Sequence, residues 1–568
     1  MDNHHIINII QKAVQLMELH DESAQKIKSY NNAIFNLERY DFQLHDKSKE
    51  ELLKINGVGN SLADTIESIS ASGTFPLLDD LVEKTPPGVM ELLDIKGLGV
   101  KKIKTAWAEL GIDSIESFLE ATQKEELINL KGFGAKTIEN IREALEFFLD
   151  SKGKVLLSAG QEIASWLVSF LEENTKGKEV AITGEVRRNA EEISMVSVLL
   201  GGADVMEEVL LLAGKQPELV IDDAHCGPRA IRGVFAGLVA FEILFCHPDE
   251  FGCRLFHTTG AKGHFSALAK GGVNTRILFG SSGISENEIY AGMKMEFIPP
   301  ELREGQFELD QARNGGFRDL LTMDQLKGSL HNHSNYSDGK NTLREMAEAC
   351  RDLGYEYLGM ADHSKTAFYA SGLYEEQVEK QHLEIDQLNE ELAPFRIFKG
   401  IESDILTDGS LDYANEVLDS FDFVVASVHS VLNMDKKKAT ERLLKAIQNP
   451  YTTILGHMTG RLLLQRKGYP VDHKLIIDQC AAHNVVIEIN AHPIRLDLDW
   501  RWVHYALEKG VMLSINPDAH KTAGFHDMKY GVDVGRKGGL TPVMTLNAMS
   551  LEEIDRFFKT RKSKALNL

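Results

Sequence analysis

From about residue 330 onward, short apolar runs end again and again in side chains that bind metals. KGSLHNHSNYSDG delivers His331, His333 and Asp338, and YEYLGMADHS delivers His363. FRIFKGIESDI carries Glu402, FDFVVASVHS ends in His429, TTILGHM in His457, and VMLSINPDAH in Asp518 and His520. Nine His, Asp and Glu side chains gathered in one place would be intolerable without cations, because buried charge must be paired or coordinated. Mixed imidazole and carboxylate donors suit zinc or manganese, with iron as a further option. Nine donors exceed what one ion can use, so two or three divalent ions are implied. Clustered ions of this kind assist phosphoester hydrolysis.

Such convergence needs a scaffold. The apolar runs alternate with helices such as TLREMAEACRDLG and KLIIDQCAAHN. Seven strand–helix units predict a closed β/α barrel with its site at the C-terminal ends of the strands. VVIEINAHPIRLDLDW is the one unit whose strand end lacks a ligand-type residue; Asn490 and Arg495 follow it. These two, with Arg461 just after His457, are read as substrate contacts, arginine being suited to phosphate. Lys467 is a further option in the same segment. His382, His473, His483, His492, His504 and His526 fall outside the register and are read as surface or supporting groups.

Upstream, residues 151–305 alternate helices and strands, and ITGEVRRNAEEISMVSVLLGG (182–202) stands out. A strand runs into Gly184, an arginine pair follows (Arg187, Arg188), and a second strand places Met195 and Ser197 on one face. A strand of this layout could present paired carboxylates to metals, but Met and Ser cannot do so.

The first 150 residues are helical, and a motif recurs in them. INGVGNSLADTI, IKGLGVKKIKTA and LKGFGAKTIENI each place two glycines before a helix: Gly57/Gly59, Gly97/Gly99 and Gly132/Gly134. A period of this size with two helices per unit indicates paired-helix repeats. The glycines leave backbone N–H groups uncovered at a helix start, where the dipole favours an anion such as a DNA phosphate. Lys101, Lys102, Lys104 and Lys136 lie close by in sequence.

Composition bounds these readings. The chain has 568 residues, 43% hydrophobic, and a formal net charge of −23, which opposes broad attraction to nucleic acid. DNA contact must therefore come from local groups, with modest, salt-sensitive affinity. Five scattered cysteines, the lack of a 20-residue apolar run and the lack of a leader pattern read as a cytoplasmic protein without membrane association, acting as a monomer.

These motifs carry a family resemblance. HNHSNYSDG, ADHS, GIES, SVHS, GHM and PDAH resemble the motif set of the polymerase-and-histidinol-phosphatase (PHP) domain, over about residues 326–568. The resemblance implies one ion at His331, His333, Glu402 and Asp518. A second would share Glu402 with His429 and His457, and a third would use Asp338, His363 and His520. Gly184, Arg187 and Arg188 stand where family X DNA polymerases carry Gly-Ser-x-Arg-Arg. FGCRLFHTTGAKGHFSALA and FIPPELREGQFELDQA are similar to that family's later segments, and the glycine pairs resemble its helix-hairpin-helix motifs. The family's two strand aspartates align with Met195 and Ser197 and its third with Glu242, while Glu185 replaces a phosphate-binding serine. Magnesium is not expected there.

The expected fold is thus multi-domain, α and α/β. A helix-hairpin-helix region (1–150) is followed by a nucleotidyltransferase-like palm with thumb (151–305) and a linker (306–325). A distorted seven-stranded β/α barrel of PHP type (326–568) completes it. The expected function is that of a DNA-repair polymerase homologue whose PHP domain works as a metal-dependent 3′–5′ exonuclease on gapped or 3′ DNA ends, with synthesis lost. A small-molecule phosphatase of the histidinol-phosphatase type and a non-catalytic DNA-binding scaffold are the alternatives.

Overall fold

A computed structural model of the chain describes residues 3–37, 43–273, 283–317 and 319–565. The chain forms two compact units, Met1–Lys152 and Gly153–Leu568. In the first unit the three glycine pairs adopt one geometry. Gly57, Gly97 and Gly132 have φ of 87°, 88° and 90°, a left-handed conformation that glycine takes at no steric cost. The residues between the glycines, Val58, Leu98 and Phe133, are buried, and each donates its N–H to the carbonyl three residues back. Gly59, Gly99 and Gly134 then cap the helices Asn60–Ser72, Val100–Leu110 and Ala135–Ser151 with no side-chain bond to the free N–H groups. The end of the amphipathic segment IKSYNNAIFNLERY, residues 38–40, lies outside the described residues.

The second unit contains two sheets that bear on function. The smaller has the strand order Val180–Thr183, Met195–Gly201, Val239–Cys246, Ala230–Phe235, Leu219–Ile221. Only the Met195 and Val239 strands run parallel. Behind it lies the helix Leu157–Asn174, whose buried face includes Ile163, Leu167 and Leu171. Residues 306–325 contribute the helix Glu308–Arg313 and a backbone bond from Leu321 to Leu540.

The larger sheet has seven parallel strands in sequential order, the arrangement expected of consecutive strand–helix units. Its strands Tyr357–Met360, Phe423–Ser427 and Val486–Asn490 are buried along their whole length, as expected where both faces of a parallel sheet are covered. A β-carbon on Gly400 would lie 2.2 Å from the Phe423 ring, so glycine there makes room for the aromatic that fills the interior. The barrel nearly closes. At the top, the His333 N–H donates to the Ala519 carbonyl at 2.9 Å. Lower down, the Asn547 side chain spans the gap between first and last strands. Its amide donates to the Gly328 and Ile515 carbonyls, and its oxygen accepts the Ile515 N–H at 3.0 Å.

Asn547→Ala strips three hydrogen bonds from buried backbone groups. It should lower the unfolding free energy of the barrel by about 2–4 kcal/mol. A denaturant unfolding curve that follows the barrel tryptophans measures the effect.

Candidate metal centre

All nine ligand-type residues named from the sequence meet at the C-terminal face of the barrel. Glu402 lies at their centre, 1% exposed. Its Oε1 stands 3.3 Å from His331 Nε2, 3.2 Å from His429 Nε2 and 3.0 Å from His457 Nε2. Its Oε2 is 2.9 Å from His363 Nδ1 and 3.7 Å from His333 Nε2. Asp518, held at φ 54°, approaches His333 Nε2 at 3.0 Å and His331 Nε2 at 3.7 Å. Asp338 gathers His520 at 3.3 Å, His363 at 3.7 Å and His333 at 4.0 Å.

Three overlapping groups could each hold an ion: His333–Asp338–His363–His520, His331–His333–Asp518 and His363–Glu402–His429. His333 and His363 belong to two groups each, so they lie between neighbouring positions rather than serving one position alone. The donors fit divalent ions. His331 Nε2, both ring nitrogens of His333, His363 Nδ1, Glu402 Oε2 and His457 Nδ1 are buried without an aligned hydrogen-bond partner. Buried polar atoms left this way are costly unless something else satisfies them.

The electrostatics agree. Burial opposes ionisation of Glu402, yet His429, His331 and His363 outweigh it and hold the carboxyl well below its usual range. Asp518 is likewise buried but held low by His331 and His333. Burial also opposes charge on His331 and His429. Glu488, Glu402 and Asp518 nevertheless raise His331, and Glu402 with Asp404 brings His429 up to about 10. His333, which has burial and the neighbours His363 and His520 against it, falls to about 3. The carboxylates thus demand positive charge from whatever shares their cavity.

A supporting shell fixes the ring orientations, and most of it was missed in the sequence. Glu488, fully buried, accepts from His331 Nδ1 at 2.6 Å, from the His457 N–H at 2.8 Å and from Asn516 at 3.0 Å. It lies in the strand Val486–Asn490, the one that seemed to bring nothing to the centre. The available signal was a glutamate inside an otherwise apolar strand. Asp404 faces His429 Nδ1 at 2.9 Å. Asp362 binds Ser334, Ser337 and Gln381 under the first loop.

The three expected substrate contacts divide. Arg495 Nε lies 3.5 Å from Asp518, at the edge of the cluster. Asn490 is buried and donates to Asp518 at 3.1 Å, which orients that carboxylate. Arg461 is held away from the cluster. Its guanidinium is engaged by Glu191, Asp499 at 2.8 Å and the carbonyls of Arg495 and Leu496. Lys467 and the remaining histidines are not among the groups gathered around Glu402.

The smaller sheet holds a different arrangement. Ser197 stands directly opposite Glu242 and donates to it at 3.0 Å, and Arg232 closes the other carboxylate oxygen at 3.2 Å. Met195, two residues before Ser197, offers no metal-binding oxygen. Glu185 accepts from the backbone of Ser194 and Met195 at 2.6 and 3.2 Å. Arg187 binds Glu286 and Thr259, and Arg188 binds Glu304 and the Thr259 carbonyl.

Glu488→Gln keeps the volume but removes the charge facing His331. Partners of this kind are worth roughly 10–100-fold in metal affinity. The variant should lose divalent ions to a chelator at a correspondingly lower concentration, as measured by competition titration.

Comparison with known proteins places these parts. Residues 1–75 match the helix-hairpin-helix domain, residues 89–146 the SAM-like helix-hairpin-helix tandem, and residues 329–492 the PHP domain. The DNA polymerase/3′-5′ exonuclease PolX of Bacillus subtilis (strain 168) is 33% identical over 98% of this chain and 99% of its own length. Probable phosphatases of Thermoanaerobacter sp. (strain X514) and Acetivibrio thermocellus are 25% and 26% identical. Each match spans 39% of this chain and 90% or 91% of the relative. Similarity to PolX from end to end, with helix-hairpin-helix and PHP domains in their places, shows that the chain belongs to the bacterial PolX family.

Proposed function

We propose that this chain is a divalent-metal-dependent nuclease that shortens DNA from its 3′ ends, and that its polymerase-like middle does not synthesise DNA. One contrast carries the reading. Around Glu402, buried ring nitrogens and one carboxylate oxygen are left without aligned partners, whereas beside Ser197 the Glu242 carboxylate is closed by protein groups. The Bacillus subtilis relative is named for both activities, so the contrast also indicates which of the two this chain keeps.

Divalent ions held by the nine residues would supply Lewis-acid assistance to phosphoester hydrolysis. The protein's own groups prepare the site for them. Glu488 and Asp404 fix His331 and His429 through Nδ1, so that Nε2 of each faces Glu402. Asn490 holds Asp518 in place. Arg495 stands at the rim with its charge available to a phosphate oxygen. Asp338 and His520, with side chains 33% and 37% exposed, mark the open side where a phosphodiester enters; the other ligands are nearly closed off from solvent. The glycine turns offer free backbone N–H groups to DNA phosphates, a grip compatible with a net charge of −23 because it needs few basic side chains.

In the middle sheet, Met195 and Ser197 supply no negative charge for a metal, and Glu185 adds charge of the sign that repels a triphosphate. Both support the reading that synthesis is lost.

The test uses the full chain with a 3′-recessed or gapped duplex and manganese. The wild type should shorten the 3′ strand, chelation should stop it, and His331→Ala/His333→Ala should reduce the rate by at least a thousandfold. Shortening that persists in the double variant refutes the site, and nucleotide addition refutes the loss of synthesis. Hydrolysis of small phosphomonoesters with none of DNA would instead favour the phosphatase reading, to which the two probable phosphatases lend support. A second expected outcome concerns the grip. Gly97→Val with Gly132→Val forces side chains into left-handed backbone and should weaken DNA binding several-fold, measured by anisotropy at low salt.

A further inference from the structure

Beside the metal centre, the loop from Ser364 to Gly372 holds two adjacent aromatic rings in solvent. Phe368 is 76% exposed and Tyr369 69%. On either side of them Ala367 and Ala370 are each 1% exposed, and Leu373 is fully buried. The loop is pinned from below. Thr366 donates its N–H to Asp412 at 2.7 Å and its hydroxyl to Asp412 and Asp404. Ser364 bonds both backbone and side chain to the Glu402–Asp404 strand, and the Leu373 N–H returns to the His363 carbonyl at 2.9 Å. Gly372 packs so closely that a β-carbon would lie 1.9 Å from the Ser364 carbonyl. A backbone fixed this firmly presents two aromatic residues outward.

Their position gives this exposure a meaning. The Tyr369 ring lies 6.1 Å from His363 and 6.4 Å from His429, edge-on to both. A phosphate resting on the His363–His429 side of the cluster would have the group attached to it near Tyr369, with Phe368 the adjacent exposed ring in sequence. Arg495 serves a different part of the cluster, at Asp518, so charge for the phosphate and an apolar surface for its substituent are separated. Nucleobases carry a flat π-face, and aromatic residues bind single-stranded nucleic acid through that face without reading sequence.

We infer that Phe368 and Tyr369 form a stacking platform for the base of the terminal nucleotide of a DNA strand whose phosphate lies at the metal centre. This rests on the nuclease reading above and adds to it the feature that separates a nucleic-acid end from a small phosphate ester. The platform tolerates any of the four bases and binds an end that has none more weakly.

The experiment compares full-length wild type with Phe368→Ala/Tyr369→Ala on two single-stranded oligonucleotides, one ending in a normal nucleotide and one in a 3′-terminal abasic residue. Both substituted side chains are exposed, so folding and metal content should be retained, and both are checked. In the wild type the KM for the abasic end should exceed that for the normal end at least tenfold. In the variant that ratio should fall towards one. An unchanged ratio overturns the platform, whether the absolute rates fall or not. A parallel binding measurement does not depend on hydrolysis: 2-aminopurine at the 3′ terminus should be quenched on binding to wild type and not to the variant. If no hydrolysis occurs but the quench behaves so, the nuclease reading fails and the platform stands. Equal quenching in both proteins removes the platform. So does a dimer of the wild type that the variant loses, which would give the pair to a second copy of the chain.

Discussion

Glu402 sits almost out of reach of solvent among five imidazoles, and the upper face of the barrel is organised by the need to keep that carboxylate charged. An isolated buried carboxylate would take up a proton instead. Here the surrounding rings hold it ionised, and further carboxylates behind them keep the rings oriented. Parallel strands make this possible, since every strand ends at the same face and sequential order puts each unit's contribution next to the last. A shift of one residue in any strand would turn its ligand to the wrong side of the sheet. The seam that Asn547 closes is thus part of the centre's precision, because Asp518 and His333 come from the two strands that flank it.

The aromatic loop belongs to the same arrangement. Asp404 receives His429 on one side and Thr366 on the other, so a single carboxylate orients a cluster imidazole and anchors the segment that carries Phe368 and Tyr369. The position of the exposed rings relative to the histidine cluster is set by that shared partner, not by the loop alone.

Much of this was legible in the sequence. The clustered His, Asp and Glu residues were readable because a histidine or acid at the end of an apolar strand breaks the local pattern, and because the break recurs in all but one of the strand–helix units. The glycine pairs were readable for the same reason, and they do share one backbone geometry. Glu488 and Asp404 were not. They lie inside strands next to stronger motifs, and what marks them out is the ring behind which each sits, a fact of three dimensions. Asn547 was invisible for a similar reason: its partners Gly328 and Ile515 are distant in sequence and lend it no pattern. Arg461 shows the opposite error. Its place after His457 suggested substrate, but side-chain direction sends the guanidinium to Glu191 in the polymerase-like segment.

That last contact bears on why the middle segment would be kept if synthesis is lost. Lys537 ends a barrel helix with its side chain 1% exposed, and an ammonium so buried needs oxygen partners. All of its bonds go to the middle segment: the carbonyls of Arg188 and Glu301 at 2.8 and 3.1 Å, and the Glu304 carboxylate at 2.5 Å. Arg461 draws on Glu191 in the same way. Both lead directly to the metal centre, for Arg461 follows His457 by four residues, and the Lys537 helix packs on the strand that runs into Asp518. Removing the middle would strip the buried ammonium of its acceptors and leave Arg461 with Asp499 and two backbone carbonyls alone, close to Asp518 and His457, and breaking one side of a buried pair costs roughly 3–5 kcal/mol. On the reading that synthesis is lost, the arginine pair and its neighbours persist because they complete the barrel. The stretch that resembles a nucleotide-binding turn then serves as the wall against which the hydrolytic site is built.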